Sequence, residues 1–314
     1  MKLGFLTGCL DMPLREKLEY ASKSGFDTVE ISCWPKENER DYSASDIDVK
    51  NFSETDAKDL NSLLKKCNLE ISSLAYYDNM LHPDLEKREV FHSHLKNVIR
   101  AAEKLNVELV GTFVGKDPNL SIEENFDLYE KIFSELVLFA ERHNVKLMIE
   151  NCPMPGWDVD GLPSTISYSP EFWDEMFKRI PSKNFGLNFD PSHLAWLRVD
   201  YNKCIKNYKD RIFHVHAKDC TLSNDGLSYY GIFGKKLNRS EPEDLGIFTP
   251  KIPGLGDISW PCFIDNLREI GYDGYVSIEH EDRDFEKDND EVILGLNYAF
   301  NHLNPLIREL NNKK

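Results

Sequence analysis

Two short apolar runs in the second half of the chain end in side chains that bind metals: Phe-Gly-Leu-Asn-Phe-Asp at 185–190 and Ile-Phe-His-Val-His at 212–216. The same pattern recurs as Leu-Met-Ile-Glu at 147–150 and as Tyr-Val-Ser-Ile-Glu at 275–279. Apolar runs of this length, rich in β-branched and aromatic residues, predict buried strands. Four buried strands with a polar residue at each carboxyl end predict that these ends meet at one site.

Along the rest of the chain, short apolar segments alternate with amphipathic segments, which is typical of βα units on a parallel sheet. We predict eight strands, at 2–7, 28–33, 70–76, 108–114, 146–151, 185–190, 211–217 and 275–280. We predict eight helices, near 14–24, 54–67, 87–106, 122–142, 169–179, 200–208, 259–270 and 287–309. Ser121 with Glu124 has the spacing of a capping box, and Ser169-Pro170 places proline in a first helical turn.

Eight alternating βα units predict a closed (β/α)8 barrel, known as a TIM barrel, formed by a single domain over residues 1–314. Closure removes the two exposed edges of an open sheet. The alternative is an open doubly wound sheet. The first strand is followed by Thr7-Gly8-Cys9 without a Gly-x-Gly-x-x-Gly motif, and the chain has no P-loop, so the barrel is preferred.

One segment breaks the regular alternation: residues 220–257 form a long loop between the seventh strand and the helix that follows. Long loops within compact domains are usually functional lids or binding loops. In a barrel this loop lies over the carboxyl end of the strands, where such folds keep their active sites. A surface insertion without chemical significance is the alternative.

The balance of charge disfavours nucleic acid as a partner. The chain has 54 acidic and 38 basic residues, a formal net charge of -16, which repels polyphosphates. No run approaches the ~18 apolar residues of a membrane helix, so no membrane association is expected. The first residues do not have the pattern of an export signal. Seven cysteines without a Cys-x-x-Cys pair predict no disulfide framework, and we expect a cytoplasmic protein.

The predicted metal site consists of Glu150, Asp190, His216 and Glu279. Carboxylate oxygens together with one imidazole nitrogen suit Mn²⁺, Mg²⁺, Zn²⁺, Co²⁺ or Fe²⁺, and the excess of oxygen favours Mn²⁺ or Mg²⁺. Four protein ligands leave positions on a six-coordinate ion for a bidentate substrate such as a vicinal hydroxy-ketone. Any one of these acids alone is more often a helix cap or an ion-pair partner, so the prediction depends on the joint pattern.

Further residues surround the predicted centre. His214 and His216 point to the same face of one strand, and His216 is the preferred ligand because it is nearer the tip. His193 and Lys218 are predicted to bind substrate, although a loop histidine and a lysine paired with a carboxylate are the alternatives. We also expect substrate contacts from His82 and from Trp157, whose flat ring can lie against a sugar.

Together, these residues resemble the motifs of a known family. The sequence is similar, over nearly its whole length, to the sugar phosphate isomerase/epimerase family of the xylose isomerase-like TIM barrel superfamily. The motifs that carry the resemblance are Ile149-Glu150-Asn151, Asn188-Phe189-Asp190-Pro191-Ser192-His193, His214-Val215-His216-Ala217-Lys218-Asp219, Pro253-Gly254-Leu255-Gly256-Asp257-Ile258 and Ser277-Ile278-Glu279.

The resemblance implies one divalent metal ion held by Glu150, Asp190, His216 and Glu279, with His193 near the substrate. It also implies that Glu150 and Glu279 are catalytic, moving a proton on either side of the substrate through a metal-stabilised cis-enediolate. The expected substrate is a ketose, an aldose or a related polyol. A phosphate-binding motif is not evident. A homodimer or homotetramer is expected from the resemblance alone.

Three functions other than isomerisation or epimerisation are alternatives. An inosose or keto-polyol dehydratase, a lyase on the same scaffold, is the main alternative because it begins from the same enolate. An apurinic endonuclease is disfavoured, since Ala217-Lys218-Asp219 follows His216 in place of the Asp-x-His pair which that chemistry needs. A non-catalytic sugar-binding barrel is the last alternative.

Overall fold

Eight parallel strands form a nearly closed barrel in the computed structural model, which describes residues 1–36, 45–157 and 162–308. This confirms the predicted (β/α)8 architecture. The eight strands are β1 (Lys2–Phe5), β2 (Thr28–Ser32), β3 (Glu70–Ala75), β4 (Leu109–Thr112), β5 (Lys146–Glu150), β6 (Phe185–Phe189), β7 (Ile212–Ala217) and β10 (Tyr275–Ile278). Their hydrogen-bonded order is β1-β10-β7-β6-β5-β4-β3-β2.

The barrel closes between β1 and β2. The backbone N–H of Asp27 donates to the carbonyl oxygen of Leu3 at 2.9 Å, and a parallel bridge joins Leu6 to Glu30 further along. Gly4 permits this approach, because a Cβ atom at that position would lie 2.5 Å from the carbonyl oxygen of Thr28. A missing side chain therefore allows the first strand to lie against the second.

Helices surround the sheet on the outside. They are α1 (Leu14–Ser24), α2 (Glu54–Cys67), α3 (Leu85–Leu105), α4 (Ile122–Arg142), α5 (Pro170–Arg179), α6 (Pro191–Trp196), α7 (Tyr201–Asn207), α8 (Asn224–Tyr230), α9 (Trp260–Glu269) and α10 (Asn289–Arg308). The capping box at Ser121 and Glu124 is confirmed, with both reciprocal hydrogen bonds present, and α5 begins at Pro170 as predicted.

Two of these helices, α6 and α8, were not predicted. The short helix α6 begins directly after Asp190, whose side chain accepts a hydrogen bond from the N–H of Ser192 and so caps it. Helix α6 was not predicted because its six residues are too few to show helical periodicity. Of the predicted last helix, residue 309 lies outside the described residues.

The segment 220–257, predicted to be a long loop, is folded, and we call it the insertion. It contains helix α8 and an antiparallel hairpin of β8 (Asp219–Leu222) and β9 (Phe248–Lys251). Its own small core contains Leu245 and Ile247, packed against Trp196 of α6. The ring of Trp196 stacks on Phe248 with centroids 4.8 Å apart. The predicted long loop therefore contains its own secondary structure, and its hydrophobic contacts are with a helix distant in sequence.

Two further features concern the helices and the cysteines. None of the described helices has the length and apolar content needed to span a bilayer. All seven cysteines fall within the described ranges and have free thiols, as predicted.

Candidate metal centre

The barrel brings three of the four predicted ligands together around one imidazole nitrogen. His216 lies in β7, Glu150 ends β5 and Glu279 follows β10, so all three lie at the carboxyl end of the sheet. The Nδ1 atom of His216 is 3.0 Å from the Glu279 Oε2 atom and 3.6 Å from the Glu150 Oε1 atom. The three ligand atoms lie within 4.8 Å of one another, which is close enough to share one metal ion.

Asp190 and His193 form a second group with the same Glu150 carboxylate. The Nε2 atom of His193 is 3.3 Å from both Glu150 Oε1 and Asp190 Oδ2. The ligand atoms of this group also lie within 4.8 Å of one another. Glu150 is shared by the two groups, so the four predicted ligands and His193 line a single centre.

Asn151 explains how Asp190 is held in position. Its side-chain amide donates to the carbonyl oxygen of Asp190 at 2.9 Å, while its carbonyl oxygen accepts from the Asp190 N–H at 2.8 Å. This two-point contact fixes the backbone of Asp190 relative to Glu150, the neighbour of Asn151. The Glu-Asn pair in the sequence motif therefore supplies one predicted ligand and the group that positions another.

The predicted ligands leave buried polar atoms without a hydrogen bond. Glu150 Oε1, Asp190 Oδ2 and His216 Nδ1 are all buried and lack a well-aligned hydrogen-bond partner among the described residues. Buried polar atoms are normally paired, and buried charges are paired or coordinate metals. Two carboxylate oxygens and one imidazole nitrogen directed at one space fit a divalent cation.

Lys218 is the cation that the chain itself supplies. Its Nζ atom lies 2.9 Å from Glu279 Oε2, 3.2 Å from Asp190 Oδ2 and 3.1 Å from Glu281 Oε2. Burial opposes the charged form of the lysine, but the negative charges of these carboxylates raise its pKa well above the usual value. The ammonium group of Lys218 therefore balances part of the negative charge of these carboxylates.

Both predicted catalytic carboxylates are ionised at neutral pH. Burial alone raises the pKa of Glu150, but the positive charge of His216 and the close contacts with the imidazoles of His193 and His216 lower it below the usual range. For Glu279, burial and the Glu150 charge are outweighed by Lys218 and His216, and its pKa falls to about 2. Each carboxylate is therefore available to accept a proton or to bind a metal.

The imidazoles respond in the opposite direction. Burial disfavours the charged form of His216, but the negative charges of Glu279, Glu30 and Glu150 raise its pKa well above the usual value. The pKa of His193 is also raised, although its burial opposes this. In the metal-free chain His216 is therefore protonated at neutral pH, and a metal ion at Nδ1 must displace a proton.

The sequence reasoning missed Glu30. This residue lies in the middle of β2, is fully buried, and its Oε2 atom is 3.0 Å from the Nε2 atom of His216. Burial is outweighed by the charges of His216 and His214, which lower the pKa of Glu30 to about 2. The available signal was a glutamate inside an otherwise apolar run, Thr-Val-Glu-Ile-Ser at 28–32.

His214 occupies the layer below His216, as expected from its position in the strand. Its Nδ1 atom bonds to the Asn188 Oδ1 atom at 2.9 Å and its Nε2 atom to the Ser72 hydroxyl at 3.2 Å. Burial is the largest effect on its pKa, which falls to about 4. His214 is consequently neutral at pH 7 and contacts none of the predicted metal-binding carboxylates among the described side chains.

The two remaining predicted substrate residues lie in different surroundings. Trp157 packs edge-to-face on Phe113, which contacts Tyr77, and the ring of Tyr77 is 5.7 Å from His216. Trp157 thus ends an aromatic wall that begins at the centre. His82 instead accepts a hydrogen bond from the Asp84 N–H at the start of α3 and packs on Phe91. Its predicted substrate contact stays a prediction.

Asp219, at the root of the insertion, is buried without contributing to the centre. It accepts four hydrogen bonds, from the N–H groups of Cys220, Gly254 and Ile258 and from the indole of Trp260. A Cβ atom at Gly256 would lie 2.2 Å from the Asp219 Oδ1 atom. The Pro-Gly-Leu-Gly-Asp-Ile motif at 253–258 therefore wraps around one carboxylate and closes the insertion.

With this geometry established, comparison with known proteins identifies the family. The family model described as xylose isomerase-like TIM barrel matches residues 18–300. The chain belongs to that family.

Individual relatives are more distant. An inosose dehydratase of Mesomycoplasma hyopneumoniae (strain 7448) is 25% identical over 244 residues, which cover 74% of this chain and 76% of the relative. A solved structure of a D-tagatose 3-epimerase-like protein superposes with a TM-score of 0.68 at 23% identity, covering 99% of this chain and 100% of that one. A structure of IolI protein with a bound zinc atom gives a TM-score of 0.72 at 20% identity, covering 98% and 100%.

Proposed function

We propose that the protein is a divalent-metal-dependent isomerase or epimerase that moves a proton on the carbon next to the carbonyl group of a sugar or polyol. The observation that carries this proposal is the placement of two buried, ionised carboxylates, Glu150 and Glu279, beside the same His216 nitrogen. An enzyme that removes a proton on one face of a carbon and returns it on the other needs two such groups.

The proposed ligands of the metal ion are Glu150, Asp190, His216 and Glu279. The unpaired buried oxygens and the Nδ1 atom support this assignment, as does the zinc atom named for the structurally similar IolI protein. The oxygen-rich set favours Mn²⁺ or Mg²⁺, with Zn²⁺, Co²⁺ and Fe²⁺ as alternatives. When bound, such an ion polarises a carbonyl group and so acidifies the neighbouring C–H bond.

Lys218 and His193 complete the proposed chemistry. Lys218 is nearly buried and charged, so its ammonium group can stabilise negative charge that develops on a substrate oxygen. His193 is also buried, and its Nε2 atom lies between the oxygens of Glu150 and Asp190, where it can donate to a substrate hydroxyl. Trp157 and the aromatic wall offer a flat apolar surface for the C–H face of a sugar ring.

Dehydration of an inosose or keto-polyol is the second candidate. The relative that bears the name inosose dehydratase supports it, and so does the presence of two cationic donors, Lys218 and His193, in one centre. In this reaction one carboxylate takes the proton next to the carbonyl, the C–O bond at the neighbouring carbon breaks, and the departing oxygen leaves as water after receiving a proton from a donor.

One experiment separates the two reactions. Metal-loaded protein is incubated in D₂O with a panel of ketoses, aldoses and inososes, and the products are followed by NMR and mass spectrometry. Exchange of the proton next to the carbonyl without loss of water identifies an isomerase or epimerase, and loss of water identifies the lyase. Absence of exchange and of dehydration across the panel, in protein shown to bind the metal, would contradict both.

The remaining parts of the proposal concern partners and place. We propose a small sugar or polyol as the binding partner and no nucleic acid, because the net charge is -16. Free cysteines support a reducing compartment, for which we propose the cytoplasm. A homo-oligomer stays a prediction.

A further inference from the structure

A chain of hydrogen bonds crosses the barrel interior beneath the candidate metal centre. Its members come from four strands or their ends and are all buried: Glu30, Ser72, Tyr77, Asn188, His214 and His216. We propose that this chain, with Glu30 at its upper end, fixes which nitrogen of His216 carries the proton and thereby presents the other nitrogen to the metal. The inference rests on the proposed function, because it takes His216 to be a ligand.

The direction of each hydrogen bond follows from the chemistry of the groups. The Asn188 Nδ2 atom is only a donor, and it lies 2.7 Å from the Tyr77 hydroxyl oxygen. That hydroxyl in turn donates to the Glu30 Oε1 atom at 3.0 Å, since a carboxylate only accepts. The Asn188 oxygen then faces His214 Nδ1 at 2.9 Å, so this nitrogen must carry a hydrogen.

The same logic determines the state of His216. Its Nε2 atom lies 3.0 Å from the Glu30 Oε2 atom, and Glu30 can only accept, so the hydrogen is on Nε2. When one ring nitrogen is neutral, it is consequently Nδ1, which faces Glu150 and Glu279. Carboxylates that hold the second nitrogen of a metal-binding histidine orient the ring and raise its basicity. Glu30 is therefore a positioning residue.

Glutamine at position 30 has nearly the shape of glutamate but cannot make the same hydrogen bonds, because its amide nitrogen only donates. If its amide NH₂ faces His216, the histidine must accept at Nε2 and carry its proton on Nδ1, where a metal should bind. If its oxygen faces His216 instead, the NH₂ group meets the Tyr77 hydroxyl, which already accepts from Asn188. The proton of that hydroxyl then loses the acceptor that Glu30 provides.

Reversing the chain restores a consistent set of bonds. In the double variant Glu30→Gln/Asn188→Asp, the introduced aspartate accepts from both Tyr77 and His214, and the Tyr77 hydroxyl accepts from the introduced glutamine. The glutamine oxygen then accepts from His216 Nε2, as the glutamate did. The double variant keeps the same number of carboxylates, one of them moved from position 30 to position 188.

The test measures Zn²⁺ and Mn²⁺ affinity by titration calorimetry on metal-free protein, with folding checked by circular dichroism. We expect Glu30→Gln to weaken binding by about 10–100-fold, and the double variant to recover most of that loss. Glu108→Gln, which removes an exposed carboxylate at the amino end of β4, is the matched control and should bind as the unaltered protein does.

A second readout does not depend on metal binding. NMR of metal-free protein labelled with ¹⁵N-histidine, recorded at a pH alkaline enough to leave the imidazole neutral, reports which nitrogen of His216 carries the hydrogen. We expect it on Nε2 in the unaltered protein, in Tyr77→Phe and in the double variant. Loss of that signal is expected only in Glu30→Gln. Wild-type metal affinity in a folded Glu30→Gln variant, or a double variant that binds no better than the single one, would overturn the inference. Failure of the unaltered protein to bind either metal would contradict the proposed function, and the NMR signal would still test Glu30.

Discussion

Two buried carboxylate sites lie near the carboxyl end of β7, one at Asp219 and the other around His216, and they are used in opposite ways. Asp219 receives four N–H donors at 2.8–3.0 Å, two on each oxygen. At the candidate centre, Glu150 Oε1 and Asp190 Oδ2 are as deeply buried but have no well-aligned donor among the described groups.

The difference shows how a barrel separates architecture from chemistry. A carboxylate saturated by N–H donors stabilises the fold and has no free lone pair for a substrate or metal. An unsaturated one costs stability unless a cation balances it, and such groups are concentrated where function requires them.

Replacing a proposed catalytic carboxylate should affect activity far more than stability. We expect Glu150→Gln to slow exchange of the substrate proton in D₂O by about 10²–10⁴-fold, as for loss of a general acid or base. The free energy of unfolding of the metal-free protein should fall by less than in Asp219→Ala, because burial opposes the charge of Glu150 while His216 and His193 favour it. Urea denaturation checks this, with Glu108→Gln as the control. A Glu150→Gln variant that is clearly destabilised but keeps its activity would contradict a catalytic role for Glu150.

Replacing the saturated carboxylate should have the reverse effect. Asp219→Ala leaves four buried N–H groups without an acceptor, and at about 1–3 kcal/mol for each unsatisfied group we expect the free energy of unfolding to fall by at least about 3 kcal/mol. Urea denaturation measures the loss. A variant as stable as the parent protein would show that the motif at 253–258 does not depend on this carboxylate.

Metal should stabilise the folded chain through the unsaturated site. At a free metal concentration of 100 times the dissociation constant, linkage predicts an increase of about 2.7 kcal/mol in the free energy of unfolding. We expect this increase with Mn²⁺ or Zn²⁺ in the unaltered protein, its retention in Asp219→Ala, and its loss in Asp190→Asn. Thermal denaturation with and without a chelator provides the measurement. Equal stabilisation of all three proteins would place the metal elsewhere.

Metal affinity should rise with pH. The carboxylates around His216 raise its pKa well above the usual value, so the metal-free imidazole is charged at neutral pH and must release the Nδ1 proton on binding. Each proton released makes affinity increase by about tenfold per pH unit, equal to 1.4 kcal/mol. Calorimetry in buffers of different ionisation enthalpy counts the protons. An affinity independent of pH would exclude His216 as the nitrogen ligand.

The smallest effect is expected at the aromatic wall. Trp157→Ala removes a ring that packs on Phe113 but touches none of the carboxylates, so KM should rise by about 3–10-fold while kcat is unchanged. Trp157→Phe, which keeps an aromatic face, should lie between the two. Steady-state kinetics on a substrate found in the D₂O panel checks this. A fall in kcat with KM unchanged would mean that Trp157 acts on the reaction itself.

Much of the fold could be predicted because its signals are local. Each barrel strand is an apolar run, and the cap at Ser121 and the proline at 170 mark helix starts within a few residues. The insertion could not be predicted as folded, since Leu245 and Ile247 find their partner, Trp196, only in space. Helix α6 was missed because its first turn doubles as the segment that presents Asp190 and His193.

The local hydrophobic pattern of the sequence predicts that Glu150, Asp190, His216 and Glu279 lie at or near the carboxyl ends of strands that meet at one face of a barrel. The atoms that meet there are known only from the folded structure. Nδ1 of His216 lies beside two carboxylates, Lys218 lies among three carboxylates, and Glu30 lies beneath the imidazole. The physical reason is that strand-end position follows from local hydrophobic pattern, whereas hydrogen-bond partners joining β2 to β7 depend on closure of the whole sheet.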